Sequence, residues 1–301
     1  VPDARDAEGL SLFATIVNKL QSSMREEIPG LFEAVFECTL EMITKNFEDY
    51  PDLRLKFFNL LLAITNHCFQ ALLQLSPQQT KLVMDSIIWA IRHTERNVAE
   101  TGLNLLLQML TSFQSSDFCN QFHQTYFLEL LQEIFAVLTD TFHKPGFKLH
   151  ALILQHLFTT LEENITVPLW DAAKEGPTKY PNNVEFVRQH TLGLLTTSFP
   201  NMTQSQIGQV IQGMIELKKD FSAFKNHLRD FLVQVSRLGA SQCSCSILLS
   251  VPAPSLCCRL ANSRHRTMQT YTLRSWRRKG ERKRALRDPC SLECFARVQG
   301  I

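Results

Sequence analysis

Histidines, cysteines and neighbouring acids are the side chains here that could carry chemistry, so their spacing comes first. His150 and His156 stand six residues apart, whereas two groups that act together on one helix face need a spacing of three or four. His67 and Cys68 are adjacent, and adjacent helical residues do not face each other. Glu26-Glu27, Glu48-Asp49 and Glu162-Glu163 offer the carboxylate pairs of general acid–base catalysis, but they fall at expected helix starts or in loops, where solvated acids are ordinary. Near the C-terminus, Cys243-x-Cys245, Cys257-Cys258 and Cys290-x3-Cys294 hint at zinc, with His265 the only histidine in that part. They lack the repeated C-x2-C spacing and the histidine pair of a zinc site. The basic run Arg274–Arg287, with Trp276 inside it, has the composition of a nuclear localisation signal or a nucleic-acid patch. No Gly-rich phosphate loop, nucleophile elbow or metalloprotease helix motif occurs. The sequence therefore predicts no catalytic residue, no cofactor-binding residue, no metal ligand and no specific nucleic-acid contact.

The elements that would position such groups read as helices throughout. Residues 81–110 are the clearest case and split into two. Ser76 is placed to cap the first, with Pro77 in its first turn and Gln79 at the capping-box position. Its stripe runs Leu82, Val83, Ser86, Ile87, Ala90, Ile91, with Trp89 beside it and expected in an inter-helix seam. Thr94 is expected to cap the second helix, with Val98, Gly102, Leu105, Leu106, Met109, Leu110 and Phe113 on one face. Gly102 costs about 1 kcal/mol against Ala inside a helix, so a close approach by a neighbouring helix is expected there.

Eight further helices follow from the same periodicity. A first stripe is Leu12, Phe13, Ile16, Val17, Leu20; a second, opened by Pro29, is Leu31, Phe32, Val35, Phe36, Leu40, Ile43. A third starts at Pro51 and bends near His67-Cys68. Ser116 is expected to cap a helix whose face is Phe118, Phe122, Phe127, Leu130, Leu131, Ile134, Leu138. The turn Lys144-Pro145-Gly146 leads to a helix with Leu149, Leu152, Ile153, His156, Leu157 and Leu161. A Pro- and Gly-containing loop spans 163–182, and helices at about 183–199, 203–218 (capped by Thr203) and 221–236 close the series. No stripe can be buried by one helix pair alone. The expected fold is all-α, a HEAT-repeat α-solenoid of about five helix pairs spaced by roughly 40–47 residues; an irregular bundle is the competing arrangement.

Charge and cysteine usage divide the chain. Residues 237–301 hold 13 Lys/Arg against 3 Asp/Glu, net +10, which leaves 18 against 26, net −8, for residues 1–236. Cys38, Cys68 and Cys119 lie in the long part and the other six cysteines in the tail. Three scattered thiols suit a reducing compartment rather than a disulfide framework. The stripes stop at Arg237, so the expected domains are a helical unit at 1–236 and a disordered basic, Cys-, Ser- and Arg-rich tail at 237–301. No apolar run reaches the length of a membrane span. The chain opens on Val1 rather than Met and is expected to be part of something longer.

Four stretches carry a family resemblance: FEAVFECTLEMITKNFEDYP (32–51), KLVMDSIIWAIRHTERNVAETGL (81–103), QTYFLELLQEIFAVLTDTFHKPGFKLHALIL (124–154) and FKNHLRDFLVQVS (224–236). They closely resemble the C-terminal part of the exportin-one family, receptors for leucine-rich nuclear export signals within the importin-β-like superfamily. The wording DTFHKPGFKLH (140–150) looks like a plant member. The resemblance implies roughly the last five HEAT repeats of a ring-shaped carrier, which binds export-signal cargo together with the GTP form of the small GTPase Ran. It also implies contacts with nuclear pore proteins, no membrane, and a location in nucleus and cytoplasm. The export-signal groove and the main GTPase interface would lie upstream of Val1, so the resemblance transfers no groove residue. It stops at Ser236, where the family continues with an acidic segment and a last helix. Translated intron, a shifted frame or a splice form would each produce that break, and on any but the last the basic run has no evolved role. A generic helical-repeat scaffold without a transport role is the alternative function.

Overall fold

The computed structural model describes residues 7–44, 49–176 and 179–240, and every regular element among them is helical. In chain order these are α1 (Ala7–Leu20), α2 (Ile28–Ile43), α3 (Pro51–His67), α4 (Phe69–Leu72), α5 (Pro77–Ile91), α6 (Arg96–Gln114), α7 (Cys119–Leu138), α8 (Phe147–Glu163), α9 (Ala172–Glu175), α10 (Asn183–Ser198), α11 (Gln204–Glu216) and α12 (Phe221–Ala240). Short 3-10 turns fill Gln21–Met24, Thr141–Gly146 and Leu217–Lys219.

Local sequence explains most of the helix starts. Pro29, Pro51 and Pro77 stand in first turns, where a missing N–H costs nothing. Ser76 takes the Gln79 N–H at 3.3 Å and Gln79 Oε1 takes the Ser76 N–H at 3.0 Å. Thr203 and Gln206 repeat that box at α11. Two expected caps are absent. Ahead of α6 the Glu95 N–H is taken by His93 Nδ1 at 2.9 Å, so Glu95 becomes the cap position and Thr94 stays exposed. The Ser116 hydroxyl turns back to the Phe113 carbonyl at 2.8 Å; α7 starts three residues later, with Phe118 at its cap position and no side-chain cap bond. Phe118, expected on the buried face, is consequently exposed.

The core is one contiguous apolar cluster from Leu10 to Phe231. α3 packs against α1 on one side and α6 on the other; α6 then packs against α8, and α8 against α12. α2 pairs with α3, α5 with α6, α7 with α8 and α11 with α12, while α10 lies against α8 and α11. The pairing is therefore offset: α1 belongs beside α3, not with α2. The Arg92–Glu95 connection between α5 and α6 has the length that joins antiparallel neighbours. At their crossing, a Cβ on Gly102 would sit 2.8 Å from the Ala90 Cβ and 3.0 Å from the Ile91 nitrogen, the close approach that the glycine implied. Trp89 is half-buried in the seam, its ring near-parallel to Phe58 at 6.1 Å and 5.0 Å from His93.

Two expected faces shift. α1 buries Leu10, Ala14 and Val17 and leaves Leu12, Phe13 and Leu20 exposed by 59%, 36% and 53%. α8 turns His150, Ala151, Leu154 and Phe158 inward beside Ile153, Leu157 and Leu161, leaving Leu149, Leu152 and His156 half-buried. The loop between α8 and α10 is pinned rather than free. Asn183 Nδ2 donates to the Val167 carbonyl at 2.9 Å while its Oδ1 takes the Leu169 N–H at 3.0 Å. Trp170, Tyr180 and Phe186 stack edge-on or tilted within 5.7 Å of one another. α12 continues past Ser236 to Ala240, so the helical unit runs four residues beyond the expected boundary. The rest of the expected tail, residues 241–301, lies outside the described residues.

Candidate interaction surface

The chemistry-bearing residues are held apart by the helices that carry them. His150 is buried on α8 with neither ring nitrogen hydrogen-bonded. Burial, followed by the nearby His143, pulls its pKa from 6.5 down to about 4. His156, half-buried one and a half turns on, is lowered by burial against an opposing hydrogen bond to the Leu110 backbone. Cys68 is buried and its thiol donates to the Gln21 carbonyl at 3.2 Å; burial pushes that thiol up. Glu26 and Glu27 are exposed, Asp49 offers its carbonyl to Arg54, and Glu162 pairs with Lys218. Glu48, the tail cysteines, His265 and the run Arg274–Arg287 lie outside the described residues. No group of three or more His, Cys, Asp and Glu that could hold a metal exists among the described residues.

One pairing is missing from the sequence reading. Cys119 Sγ lies 3.6 Å from His123 Nδ1, both buried at i, i+4 on α7. That spacing is the signal by which it could be found. His123 Nδ1 donates to the Cys119 carbonyl at 2.8 Å, so this nitrogen carries the proton and cannot accept one from sulfur. Burial raises the thiol and lowers the imidazole, the reverse of what a thiolate nucleophile needs. The pair is a packing contact.

What the geometry does build is a set of polar links between successive helix pairs. Arg54 on α3 is fully buried; its guanidinium donates to the Asp49 carbonyl, lies 3.5 Å from Glu95 and sits 5.7 Å from the Trp89 ring centre. Arg92, at the end of α5, pairs with buried Glu133 on α7. His143 Nε2, before α8, donates to the His93 carbonyl at 3.3 Å. Lys218, before α12, meets Glu162 of α8 at 2.7 Å and donates to the Ile215 carbonyl at 2.8 Å. Buried Arg54, Glu133 and Lys218 each meet an opposite charge on another helix or its flanking turn, as a buried charge requires.

On the outside, α1 shows its Leu12, Phe13 and Leu20 edge. Between α2 and α3 lies a small apolar gap lined by Leu31, Val35, Phe36, Phe57, Leu60 and Ile64, the last four buried. Acids Glu33, Glu37 and Glu41 stand one turn apart along the exposed face of α2. Among the described residues no helix is long and apolar enough to cross a membrane.

Stacked helix pairs, linked through side chains and offering long surfaces, are the architecture of a HEAT-type helical-repeat protein, whose working parts are its faces. Residues 1–240 match the family model described as CRM1 C terminal. The chain is 64% identical over 241 residues to Protein EXPORTIN 1B of Arabidopsis thaliana and 63% to EXPORTIN 1A of the same plant, covering 80% of this chain in each case. It is 48% identical over 245 residues to Exportin-1 of Schizosaccharomyces pombe, covering 79% of this chain. The chain belongs to the exportin-1 family, in its C-terminal region, and its sequence is plant-like. That family is one of transport receptors. The chain spans about a fifth, 22%, of the length of each of these relatives.

Proposed function

We propose that this chain forms the C-terminal repeats of a nuclear export receptor. In that reading the whole carrier binds proteins bearing leucine-rich export signals together with GTP-bound Ran and moves them from nucleus to cytoplasm. It meets nuclear pore proteins on the way and acts by binding, without chemistry. The match of residues 1–240 to the CRM1 C-terminal family carries the proposal. Two physical features support it. A stack of linked pairs distributes small rotations over its length, so contacts that differ between two curvatures shift the population between them. The net charge of −8 over residues 1–236 favours fast encounter with basic partner surfaces.

In this reading residues 1–240 are the working unit, four residues more than the sequence boundary at Ser236, and 241–301 stand outside it. The groove for the export signal belongs to the part of the receptor upstream of Val1, so this chain alone has no seat for the signal. Titrating a labelled leucine-rich signal peptide with the chain is expected to leave its fluorescence anisotropy flat. Saturable binding in the micromolar range contradicts the placement of the groove.

A further inference from the structure

Where α8 and α12 lie side by side, the net-acidic repeats carry several cations. Lys148 on α8 and Arg229 on α12 are exposed, Lys225 is half-exposed, and exposed Lys144 stands in the turn that enters α8. Arg229 Cζ lies 6.0 Å from the ring centre of Phe147, and Lys225 Nζ lies 5.6 Å from that of Phe221. Both rings are only half-buried, so each cation is spread over an accessible aromatic face. Lys225 and Arg229 are four residues apart on one helix, a like-charge spacing that disfavours the helix. Among the described residues, Lys81, Arg96, Lys174 and Arg188 each pair with an acid. Lys148, Lys225 and Arg229 have no acid partner there; Arg229 reaches only Asn226 Oδ1, at 3.2 Å. Exposed Asp230 follows Arg229 on α12, about 100° round the helix from it; of the other acids at the edge of the patch, Asp220 caps α12 by accepting the Ser222 and Ala223 N–H groups, and Glu162 holds Lys218.

We infer that the α8–α12 face is a docking surface for an acidic peptide segment of a partner protein, one that carries an apolar side chain among its carboxylates. The cations match the carboxylates, and the half-exposed rings of Phe147 and Phe221 give the apolar side chain a seat. A nucleic acid fits less well. Outside the patch the repeats are net negative, and a polyphosphate running off this small area meets repulsion that a short peptide avoids. This inference goes beyond the export reading and stands or falls separately from it, because its test involves neither an export signal nor the GTPase.

The probe is a short fluorescein-labelled peptide of Asp and Glu with one central Phe, titrated into the full chain and joined to it by a carbodiimide. The cross-linked lysines are mapped by mass spectrometry, which separates this face from the basic tail. The expected result is salt-sensitive binding, with cross-links at Lys148 or Lys225. Lys225→Glu with Arg229→Glu should weaken it about tenfold while helicity and melting temperature hold. Should the double reversal unfold the chain, Lys225→Gln with Arg229→Gln replaces it. Cross-links confined to Lys279 and Lys283 of the tail, an affinity that the double variant leaves unchanged, or tighter capture of an oligonucleotide of equal charge by these same residues would each overturn the inference.

Discussion

His150 shows how a single side chain sets the conditions under which the repeats hold together. Its folded-state pKa of about 4 lies below the ordinary 6.5, so the folded chain resists protonation where the unfolded chain accepts it. Such a group contributes stability that is full above the unfolded pKa and is lost as pH falls towards the folded one. From pH 6.5 down to 4, acidification should therefore remove about 3 kcal/mol through His150. His123, His156 and His190 are lowered as well and act in the same direction. Denaturant melts across that range are the check, and a His150→Leu variant should show a flatter pH profile. Gly102 and Gly208 make a second comparison at this scale. Replacing Gly102 by Ala gains helix propensity but pushes a methyl into the α5 backbone, and overpacking of that kind costs about 1–3 kcal/mol. Gly208→Ala on α11 meets nothing within 4 Å and should gain up to about 1 kcal/mol. Equal effects at the two sites would show that the α5–α6 contact is not as close as described.

At the scale of elements, caps divide into those a local pattern defines and those a tertiary contact decides. Thr203→Ala removes a box closed within four residues and should cost about 1 kcal/mol. Thr94→Ala, at a site of similar appearance in the sequence, should change stability by less than about 0.5 kcal/mol, because the imidazole of His93 already holds the Glu95 N–H. Chemical denaturation of both variants checks the contrast. The same division explains what is legible in the sequence. Stripes such as Val98–Phe113 on α6 follow from spacing alone, since one side of each helix has to leave water. The face of α1 does not. Its Leu10, Ala14, Val17 set and its Leu12, Phe13, Leu20 set lie about 100° apart, and only the position of α3 decides which is covered. The larger residues suggest the buried face; of that expected stripe Val17 is buried, and it is joined by Leu10 and Ala14 instead of Leu12, Phe13 and Leu20. Phe118 misleads for a related reason, because the Ser116 hydroxyl prolongs the end of α6 instead of starting α7.

For the whole molecule, the all-α repeat architecture can be read from ten spaced stripes, whereas the links between pairs cannot. Arg54 and Glu95, or Glu162 and Lys218, are too far apart in the chain for any periodicity to join them. Nor does an Arg announce in sequence that it will be buried. The offset by which α1 joins α3 is hidden for the same reason, since periodicity finds helices without saying which neighbours they choose. The family is legible through long matched stretches, and the family match ends at residue 240, where α12 ends. The central claim is that residues 1–240 are working repeats of an export receptor and not a generic scaffold. It is tested most directly by a chimera. The matching stretch of the Schizosaccharomyces pombe Exportin-1 is replaced by residues 1–240 or by 1–301, and the nuclear fraction of a fluorescent reporter bearing a leucine-rich export signal is measured in living cells. Both chimeras are expected to clear the reporter from the nucleus about as well as the native protein, the tail making no difference. A stable, folded chimera that leaves the reporter nuclear would contradict the claim.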